Sequence, residues 1–340
     1  MRNVCWVAIV SCLLAGKAAG RDIFVDNVGG DDKNFGLHAQ NQGDAPSPVR
    51  TIAKALRLAR SGDRIVLANS EQPYRECVAL VGTRHSGVTP LMPFILEGNG
   101  ATLDGAAAIP AEGWTHFRDN IFRFRPRTLI QPVLFLRGRA IQPRPLPQAT
   151  AYPPRLEPLE WCAIEGAIYF AVEAARLPSD YKLSYAQLPT GITLYEVDQV
   201  VIRDLTIRGF QADGVAAAAA ARNVVLDNVT CTANGQSGVC VGGGAQVTIE
   251  SCKLAGNGGA GAMCPWSACG AQLLTRPNSE TRLLASELAN DTARGWVDQG
   301  GRVYLGLKKI EGGRKSIRPD EAPRPPEAKK AIEKGEGHDA

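Results

Sequence analysis

Four stretches of the chain repeat one alternation of apolar and polar positions. "VTIESCKLAGNGGAGA" starts at Val247, and "VVLDNVTCTANGQSGV" precedes it, starting at Val224. "VVIRDLTIRGFQADGV" starts earlier still at Val200, and a looser copy, "TRLLASELANDTARGW", starts at Thr281. A period of two residues is typical of strands with one buried face. A repeat of roughly 23 residues with two or three short strands indicates a coil of parallel strands.

Alignment of the copies predicts which side chains meet in the interior. Three inward columns are expected: Ile202, Leu226, Ile249 and Leu283; Leu205, Val229, Cys252 and Ser286; and Ile207, Cys231, Leu254 and Leu288. Because no copy can bury its apolar edge alone, these columns predict one continuous core. A leucine-rich repeat is an alternative, but the spacing lacks its leucine ladder and helix. A calcium-binding β-roll would need Asp in the glycine-rich turns, which have none.

A corner follows the last inward position of each copy. The corner column contains Phe210, Asn234, Asn257 and Asp291, and a glycine column contains Gly214, Gly238, Gly261 and Gly295. We expect the glycines to supply the positive φ of a sharp turn. We also expect Asn234 and Asn257 to pass amide hydrogen bonds from copy to copy.

The two outward faces of the repeat differ in polarity. Outward positions before the corner are polar, which predicts a face in contact with water. Outward positions after the glycine column are small or apolar, namely Ala216, Cys240, Met263 and Val297. An apolar outer face on a soluble coil predicts that another element covers it.

The first hundred residues predict a strand, a short helix and further strands. "RDIFVDNVGGDD" is followed by "PVRTIAKALRLARSGDRIVLA", in which Ile52, Ala55, Leu56 and Ala59 have helical spacing and Gly62 is a stop signal. Together with "FILEGNGATLDG" and the later copies, this pattern resembles the right-handed parallel β-helix (pectin-lyase-like) superfamily over about residues 22–105 and 190–306. The resemblance implies an all-β fold, a right-handed parallel β-helix (solenoid) of about seven coils, with the early helix capping its open end.

Residues 107–190 do not repeat. "GWTHFRDNIFRFRP", "VLFLRGRAIQPRPLP" and "LEPLEWCAIEGAIYFAV" contain strand-like runs separated by Pro, which predicts a β-rich insertion. We expect this insertion to cover the apolar outer face. It resembles an element of some β-helix glycoside hydrolases, although the Gly before the aromatic residue of their pattern is missing here.

The two ends of the chain predict processing and disorder. An eleven-residue apolar run from Val4 to Leu14 between Arg2 and Lys17 is typical of a secretory signal peptide, since a membrane span needs about 20 residues. The expected segments are a signal peptide at 1–20, the N-terminal cap and first coils at 21–106, the insertion at 107–190, coils at 191–306, and a disordered tail at 307–340. The protein is therefore expected to be secreted, periplasmic or at the cell surface, without a transmembrane segment.

Charge and cysteine content exclude some classes of function. The formal net charge is +4, which becomes +2 without Arg2 and Lys17, and this argues against nucleic-acid binding. Seven cysteines remain after residue 20, with no Cys-x-x-Cys pair. That odd number fits neither a disulfide framework nor a zinc site, so we expect mostly free buried thiols, no metal and no cofactor.

Candidate chemistry is sparse. The resemblance to polygalacturonase-like members of the superfamily implies reactive acids at the positions just before the glycine column. In this chain those positions are Asp213, Ser237, Ala260 and Arg294. Asp213, Arg294 and Asp298 are the candidate catalytic residues. A hydrolase would need a second acid near Asp213, and Glu160 or Glu165 of the insertion is the candidate. A lyase would need Arg294 as a base, which its high pKa opposes.

Two classes of function remain open at this point. One is an enzyme acting on extracellular polysaccharide, either a polysaccharide lyase or a glycoside hydrolase. The other is a non-catalytic module that binds polysaccharide or takes part in cell-surface or protein interactions. Polysaccharide is the expected partner in the first and an expected ligand in the second.

Overall fold

A computed structural model describes residues 20–40, 47–146, 150–259 and 270–323. The structure is mostly β, with one helix, α1 (Ile52–Leu58), in the described residues. The strands before residue 190 are β1 (Asp22–Val25), β2 (Arg64–Leu67), β3 (Val78–Val81), β4 (Phe94–Asp104), β5 (Ala106–Ala108), β6 (Trp114–Arg118), β7 (Ile121–Phe124), β8 (Leu134–Leu136), β9 (Arg139–Ile141), β10 (Trp161–Ile164), β11 (Ala167–Ala171) and β12 (Leu183–Ala186).

The later strands contain the four sequence copies and the end of the described chain. They are β13 (Ile192–Tyr195), β14 (Asp198–Arg208), β15 (Asp213–Ala218), β16 (Arg222–Thr232), β17 (Ser237–Val241), β18 (Gln246–Glu250), β19 (Lys253–Ala255), β20 (Ala271–Thr275), β21 (Glu280–Leu284), β22 (Glu287–Leu288), β23 (Arg294–Asp298), β24 (Arg302–Leu305) and β25 (Lys308–Ile310).

Two parallel sheets enclose the main core. The first sheet has the order β1-β2-β4-β14-β16-β18-β21-β24, with β19 and β22 continuing it beside β16 and with β25 pairing antiparallel to β24. The second sheet has the order β3-β13-β15-β17-β20-β23, and all its pairs are parallel. Successive copies pair in parallel because the sequence repeats. Each copy places its strands in the same direction as those of the copy before it, one strand further along the sheet.

The predicted inward columns are confirmed. Ile202 lies opposite Leu226, which lies opposite Ile249, and Ile249 in turn lies opposite Leu283. The nine predicted core side chains of the first three copies are at most 3% exposed, and they are Ile202, Leu205, Ile207, Leu226, Val229, Cys231, Ile249, Cys252 and Leu254. The alternation of the sequence therefore fixes both the register and the buried face.

A second bend, which the sequence pattern did not indicate, interrupts the first sheet. Asp204, Asn228, Ser251 and Ala285 occupy equivalent positions and have φ of 53°, 52°, 51° and 45°. The pairing of β14 with β4 shifts register at this point, between Arg203 and Leu205. Left-handed residues are uncommon without glycine, and Asn and Asp tolerate them best. Strands β14 and β16 therefore bend within their length, and the same bend separates β18 from β19 and β21 from β22.

The glycine column has a different cause from the one predicted. Gly214 and Gly238 are not among the residues with positive φ; Gly209, Ala233 and Gly256, with φ of 74°, 54° and 71°, precede the corner residues instead. A Cβ added at Gly238 would lie 2.9 Å from Asn257 Nδ2 and 2.9 Å from the Gln272 carbonyl oxygen. Glycine is required here because the corner amides leave no room for a side chain.

The predicted third member of the glycine column is wrong. The pairing of Ser237 with Ala271 and of Val239 with Leu273 places Gln272, not Gly261, opposite Gly238. A Cβ at Gly270 would lie 2.1 Å from the Gly258 carbonyl oxygen, so Gly270 lies directly beside Gly258. Extra residues between these glycines displaced the alignment. Gly261 and Met263 lie outside the described residues.

Residues between β4 and β13 form two antiparallel sheets. Their orders are β6-β7-β11-β10 and β5-β12-β8-β9. They meet the parallel part at its corners: Gln211 Oε1 accepts from the Ile130 N–H at 2.7 Å, and a Cβ at Gly235 would lie 2.7 Å from the Gln131 carbonyl oxygen. These contacts lie at the corner, whereas the expectation placed them over the outer face of Ala216 and Cys240.

The expected disordered tail is wrong for residues 308–323. Strand β25 pairs with β24, and Ile317 forms a bridge with Leu288. Ile310, Ile317 and Ala322 are buried in the main core. These three apolar residues pack the segment against the core, although its charged composition predicted disorder. Residues 324–340 and the expected signal peptide, apart from Gly20, lie outside the described ranges.

Cys231 and Cys252 are free, buried thiols, as expected from their different inward columns. Cys264 and Cys269 lie outside the described residues. Among the residues that the structure describes, no helix has the length and apolarity needed to cross a membrane.

Candidate functional site

Asp213 begins β15 and is buried, with 7% of its surface exposed. Its Oδ1 accepts a hydrogen bond from the Ser237 hydroxyl at 2.6 Å, one strand further along the second sheet. Burial raises the pKa of the Asp213 carboxyl to about 6, against the opposing effects of the Ser237 hydrogen bond and the Arg276 charge. A carboxyl in this state is half-protonated near pH 6 and is held by a hydroxyl rather than by a second acid.

The structure does not bring the other two predicted site residues to Asp213. Arg294 and Asp298 are exposed on β23, and the pairing runs from Asp213 through Ser237 and Ala271 to Arg294. Three strand spacings separate them, or roughly 14 Å. Asp298 Oδ1 accepts from the Gly300 N–H at 2.8 Å, which closes a turn.

The insertion residues considered as a second acid have structural roles. Glu160 forms an ion pair with Arg144 at 2.8 Å. The Glu157 N–H and Arg144 lower the pKa of the Glu160 carboxyl, so this group is poorly suited to donate a proton. Glu165 has a φ of 47° in the turn between β10 and β11. Neither Glu160 nor Glu165 is therefore placed to serve as the second acid beside Asp213 that a glycosidase needs.

Replacing Asp213 by Asn is expected to change how stability depends on pH. The folded pKa of about 6 lies above the usual 3.8, so the stabilising contribution of the neutral carboxyl is fully present below pH 3.8 and is lost as pH rises through 6. Relative to Asp213→Asn, the wild type should lose about 2.5 kcal/mol of unfolding free energy between pH 4 and pH 7.5.

Urea unfolding of both proteins at the two pH values measures this difference. Asp298→Asn, which changes an exposed carboxylate on the same sheet, is the matched control. Parallel pH profiles for Asp213→Asn and wild type would contradict the assignment of a raised pKa to Asp213.

A second polar site lies where the parallel part meets the antiparallel sheets. This basic cleft has a volume of about 910 Å³, within the range of small-molecule sites. Its charged lining residues are Arg75, Asp104, Arg137, Asp180, Lys182 and Arg208. Asp104 and Arg208 end β4 and β14, while Arg137 lies in the turn between β8 and β9 and Lys182 immediately precedes β12.

Arg208 is held rigidly in the basic cleft. Its Nε lies 3.5 Å from Asp104 Oδ2, its Nη2 donates to the Gly138 carbonyl oxygen at 2.9 Å, and its guanidinium lies 5.6 Å from the centre of the Phe135 ring. The buried Nε has no hydrogen-bond partner among the described residues. These contacts fix the guanidinium of Arg208 in the wall of the cleft.

Positive charge exceeds negative charge in the basic cleft. Four basic residues face two acids, a difference of +2. Arg75, Arg137 and Lys182 have no carboxylate within ion-pair distance among the described residues, and all three are exposed. Asp180 is occupied, since its Oδ2 accepts from the Leu177 N–H at 3.0 Å. The cleft therefore favours an anionic ligand.

The basic cleft has no signature in the repeat pattern of the sequence. Its basic residues come from positions 75 to 208 and belong to four separate segments, so no spacing in the sequence relates them. The concentration of Arg in "VLFLRGRAIQPRPLP" was the available signal. In the described ranges, no group of three or more His, Cys, Asp or Glu side chains is placed to hold a metal ion.

Comparison with known proteins identifies the fold over part of the chain. The family model of the right-handed beta helix region matches residues 190–271, which confirms the resemblance drawn from the sequence. A search of curated proteins finds no match.

Three solved structures are similar. A complex of XylC with xylose is 12% identical over 77% of this chain and 58% of that one, with a TM-score of 0.49. Two structures of the GH136 lacto-N-biosidase from Eubacterium ramulus are 10% and 11% identical over 78% and 77% of this chain, with TM-scores of 0.36 and 0.34. The chain spans 58% of the XylC structure and 41–42% of the other two.

Proposed function

We propose that this protein binds an anionic extracellular polysaccharide in the basic cleft. The observation that carries the proposal is a cleft of about 910 Å³ whose lining has four basic residues and two acids. Uronate and sulfate groups on sugars are anions that guanidinium groups bind through paired hydrogen bonds. Three of the basic side chains have no ion-pair partner in the described part of the chain, so a bound polysaccharide would not have to displace one.

The lining of the cleft also suits the uncharged part of a sugar. Ser179 and Ser184 line it beside the charged groups. Hydroxyl groups donate and accept hydrogen bonds and so can match sugar hydroxyls in either role. The proposed ligand is therefore a carbohydrate that carries acidic groups rather than a simple inorganic anion.

The proposal includes the architecture that presents the cleft. We take the parallel part to be a right-handed β-helical solenoid of repeated coils, at residues 21–106 and 191–306, with α1 capping its N-terminal end. Four apolar residues of the helix segment, Ile52, Ala55, Leu56 and Ala59, lie in the same core as β1 and β2, which supports that role. Residues 107–190 form the insertion that supplies one wall of the cleft. Secretion to the cell surface or periplasm remains part of the proposal.

Binding without turnover is favoured over catalysis. Asp104, the buried acid of the cleft, accepts from the Ala106 N–H at 2.9 Å and faces Arg208, so it has no free role as an acid or base. A lyase or hydrolase remains the second candidate, supported by the raised pKa of Asp213. Product detection by mass after incubation with pectin, alginate, xylan and glycosaminoglycans distinguishes the two.

Removing two free charges should weaken binding strongly. We expect Arg137→Gln with Lys182→Gln to bind polygalacturonate, alginate or a sulfated glycosaminoglycan at least about tenfold more weakly, because each lost charge-assisted hydrogen bond contributes about 1.5–3 kcal/mol. Affinity electrophoresis at low ionic strength measures the effect, and added salt should reduce it.

The matched control is Arg222→Gln with Lys308→Gln, which removes the same charge from exposed positions outside the cleft. Equal weakening by both double variants would indicate only a general charge effect. The absence of wild-type binding to every acidic polysaccharide would overturn the proposed function.

A further inference from the structure

A second groove crosses the first sheet at the opposite end of β14 from the basic cleft. This amide groove has a volume of about 350 Å³, and its polar lining residues are Gln199, Asn223, Gln246, Thr248, Glu280 and Arg282. Gln199 lies near the start of β14, whereas Arg208 of the basic cleft ends that strand. The two sites therefore share a strand but not a lining residue.

Strand pairing arranges the amide groove as regular rows. Gln246 lies opposite Glu280 and Thr248 opposite Arg282, while Val225 lies opposite Thr248. Gln199, Asn223 and Gln246 follow one another on β14, β16 and β18, and all three carry side-chain amides. Neighbouring strands are about 4.8 Å apart, a spacing comparable with one sugar ring of a linear glycan.

The amides of this row are available to a ligand. Asn223 Nδ2 donates to Asp198 Oδ1 at 2.7 Å, which leaves its Oδ1 free to accept. The side chains of Gln199 and Gln246 have no hydrogen-bond partner among the described residues. Gln199 and Asn223 also have φ of 55° and 48°. Positive φ recurs at strand bends throughout the described chain, so these two residues mark where their strands begin.

The charged end of the groove carries one uncompensated cation. Glu280 Oε2 lies 3.1 Å from Arg302 Nη2, so its charge is compensated. The Arg282 guanidinium lies 6.0 Å from the centre of the Tyr304 ring, which leaves one positive charge against an aromatic face. Unlike the basic cleft, this groove has no cluster of cations in the described residues that would select an acidic ligand.

The backbone of the groove also argues against a peptide. β14, β16 and β18 are each paired on both sides within the first sheet, so none offers a free edge to which an extended peptide could add. Recognition must come from side chains alone. Amides and a Thr hydroxyl offer mixed donors and acceptors, which match uncharged hydroxyl groups.

From these observations we infer that the amide groove binds an uncharged linear oligosaccharide lying across β14, β16 and β18, with about three sugar rings placed by the strand spacing. The site is independent of the basic cleft. The protein would then hold an acidic and a neutral glycan at two separate places.

Calorimetric titration with xylohexaose, cellohexaose and mannohexaose tests the inference. Wild type should bind at least one of them, and Gln246→Ala should weaken that binding about three- to tenfold, as expected for one lost hydrogen bond. Gln246 is exposed, so the melting temperature of this variant should stay unchanged. Gln72→Ala, at another exposed glutamine, is the matched control and should bind as wild type does.

Two further results separate this site from the basic cleft. Arg137→Gln with Lys182→Gln should bind the neutral hexasaccharide normally, and oligogalacturonate should not displace it. Failure of all three neutral hexasaccharides to bind, or equal binding by Gln246→Ala and wild type, would overturn the inference without touching the proposed function. Displacement of the neutral sugar by oligogalacturonate would likewise refute a separate neutral site.

Discussion

Replacing Asn257 by Ala is expected to lower the free energy of unfolding by roughly 2–4 kcal/mol, since a buried group left without a partner costs about 1–3 kcal/mol and each further lost hydrogen bond about 0.5–1.5 kcal/mol. Asn257 is fully buried. Its Oδ1 accepts from Asn234 Nδ2 at 2.9 Å and from the Asn234 N–H at 3.1 Å. Its Nδ2 donates to the Cys231 carbonyl oxygen at 2.8 Å and to Gln272 Oε1 at 2.8 Å. Alanine would leave the buried Asn234 N–H without this partner, while Gln272 Oε1 would keep only the residue 257 N–H and Asn234 Nδ2 only the Ile207 carbonyl oxygen.

Chemical denaturation measures this loss, with an unchanged denaturant slope as the sign of an intact folded state. Asn69→Ala is the matched control, because Asn69 is exposed and a surface change of this kind should cost at most about 0.5 kcal/mol. A loss below about 1 kcal/mol for Asn257→Ala would mean that water replaces the ladder, contrary to the argument.

Replacing Ile249 by Ala should cost about 2–5 kcal/mol, the usual range for a large-to-small change in a core. Ile249 is fully buried and stacks between Leu226 and Leu283 in register. Because strands on both sides hold these neighbours in place, the surroundings can collapse only partly into the cavity. The expected loss therefore lies toward the upper part of that range.

Urea unfolding of Ile249→Ala should be compared with that of Thr230→Ala, an outward position on the neighbouring β16. The outward change should cost a few tenths of a kcal/mol. If Ile249→Ala cost no more than such a surface change, about 0.5 kcal/mol or less, the register of the first sheet would be wrong.

The core could be predicted from the sequence because the copies from Val200 to Leu254 carry no insertion. Spacings of 24 and then 23 residues place Ile202, Leu226 and Ile249 in one column, and a shift of one residue in the pairing would have exposed all of them. The prediction failed after Gly258, where extra residues moved β20 beyond the expected place. Gln272 then took a position at which Gly261 was expected.

The candidate sites were less accessible to sequence reasoning. Asp213 was found because the resemblance singled out its column, but Arg294, in the same column, lies three strands away from it. The basic cleft was missed because strand pairing and the insertion bring Arg75, Arg137 and Arg208 together from distant segments. The repeat period determines which residues share an inward column. A cleft between the parallel part and the insertion depends on how these two parts pack, and the repeat pattern does not indicate that packing.

The corner amides form a chain of donors and acceptors with a direction. The Phe210 N–H donates to Asn234 Oδ1, Asn234 donates to Asn257, Asn257 donates to Gln272, and Gln272 Nε2 donates to Asp291 Oδ1 at 3.0 Å. A phenyl ring can neither accept nor donate at the first position, and an ionised carboxylate can only accept at the last. Phe210 and Asp291 therefore end this series of hydrogen bonds on its two sides. These two residues determine how many side-chain amides the series contains.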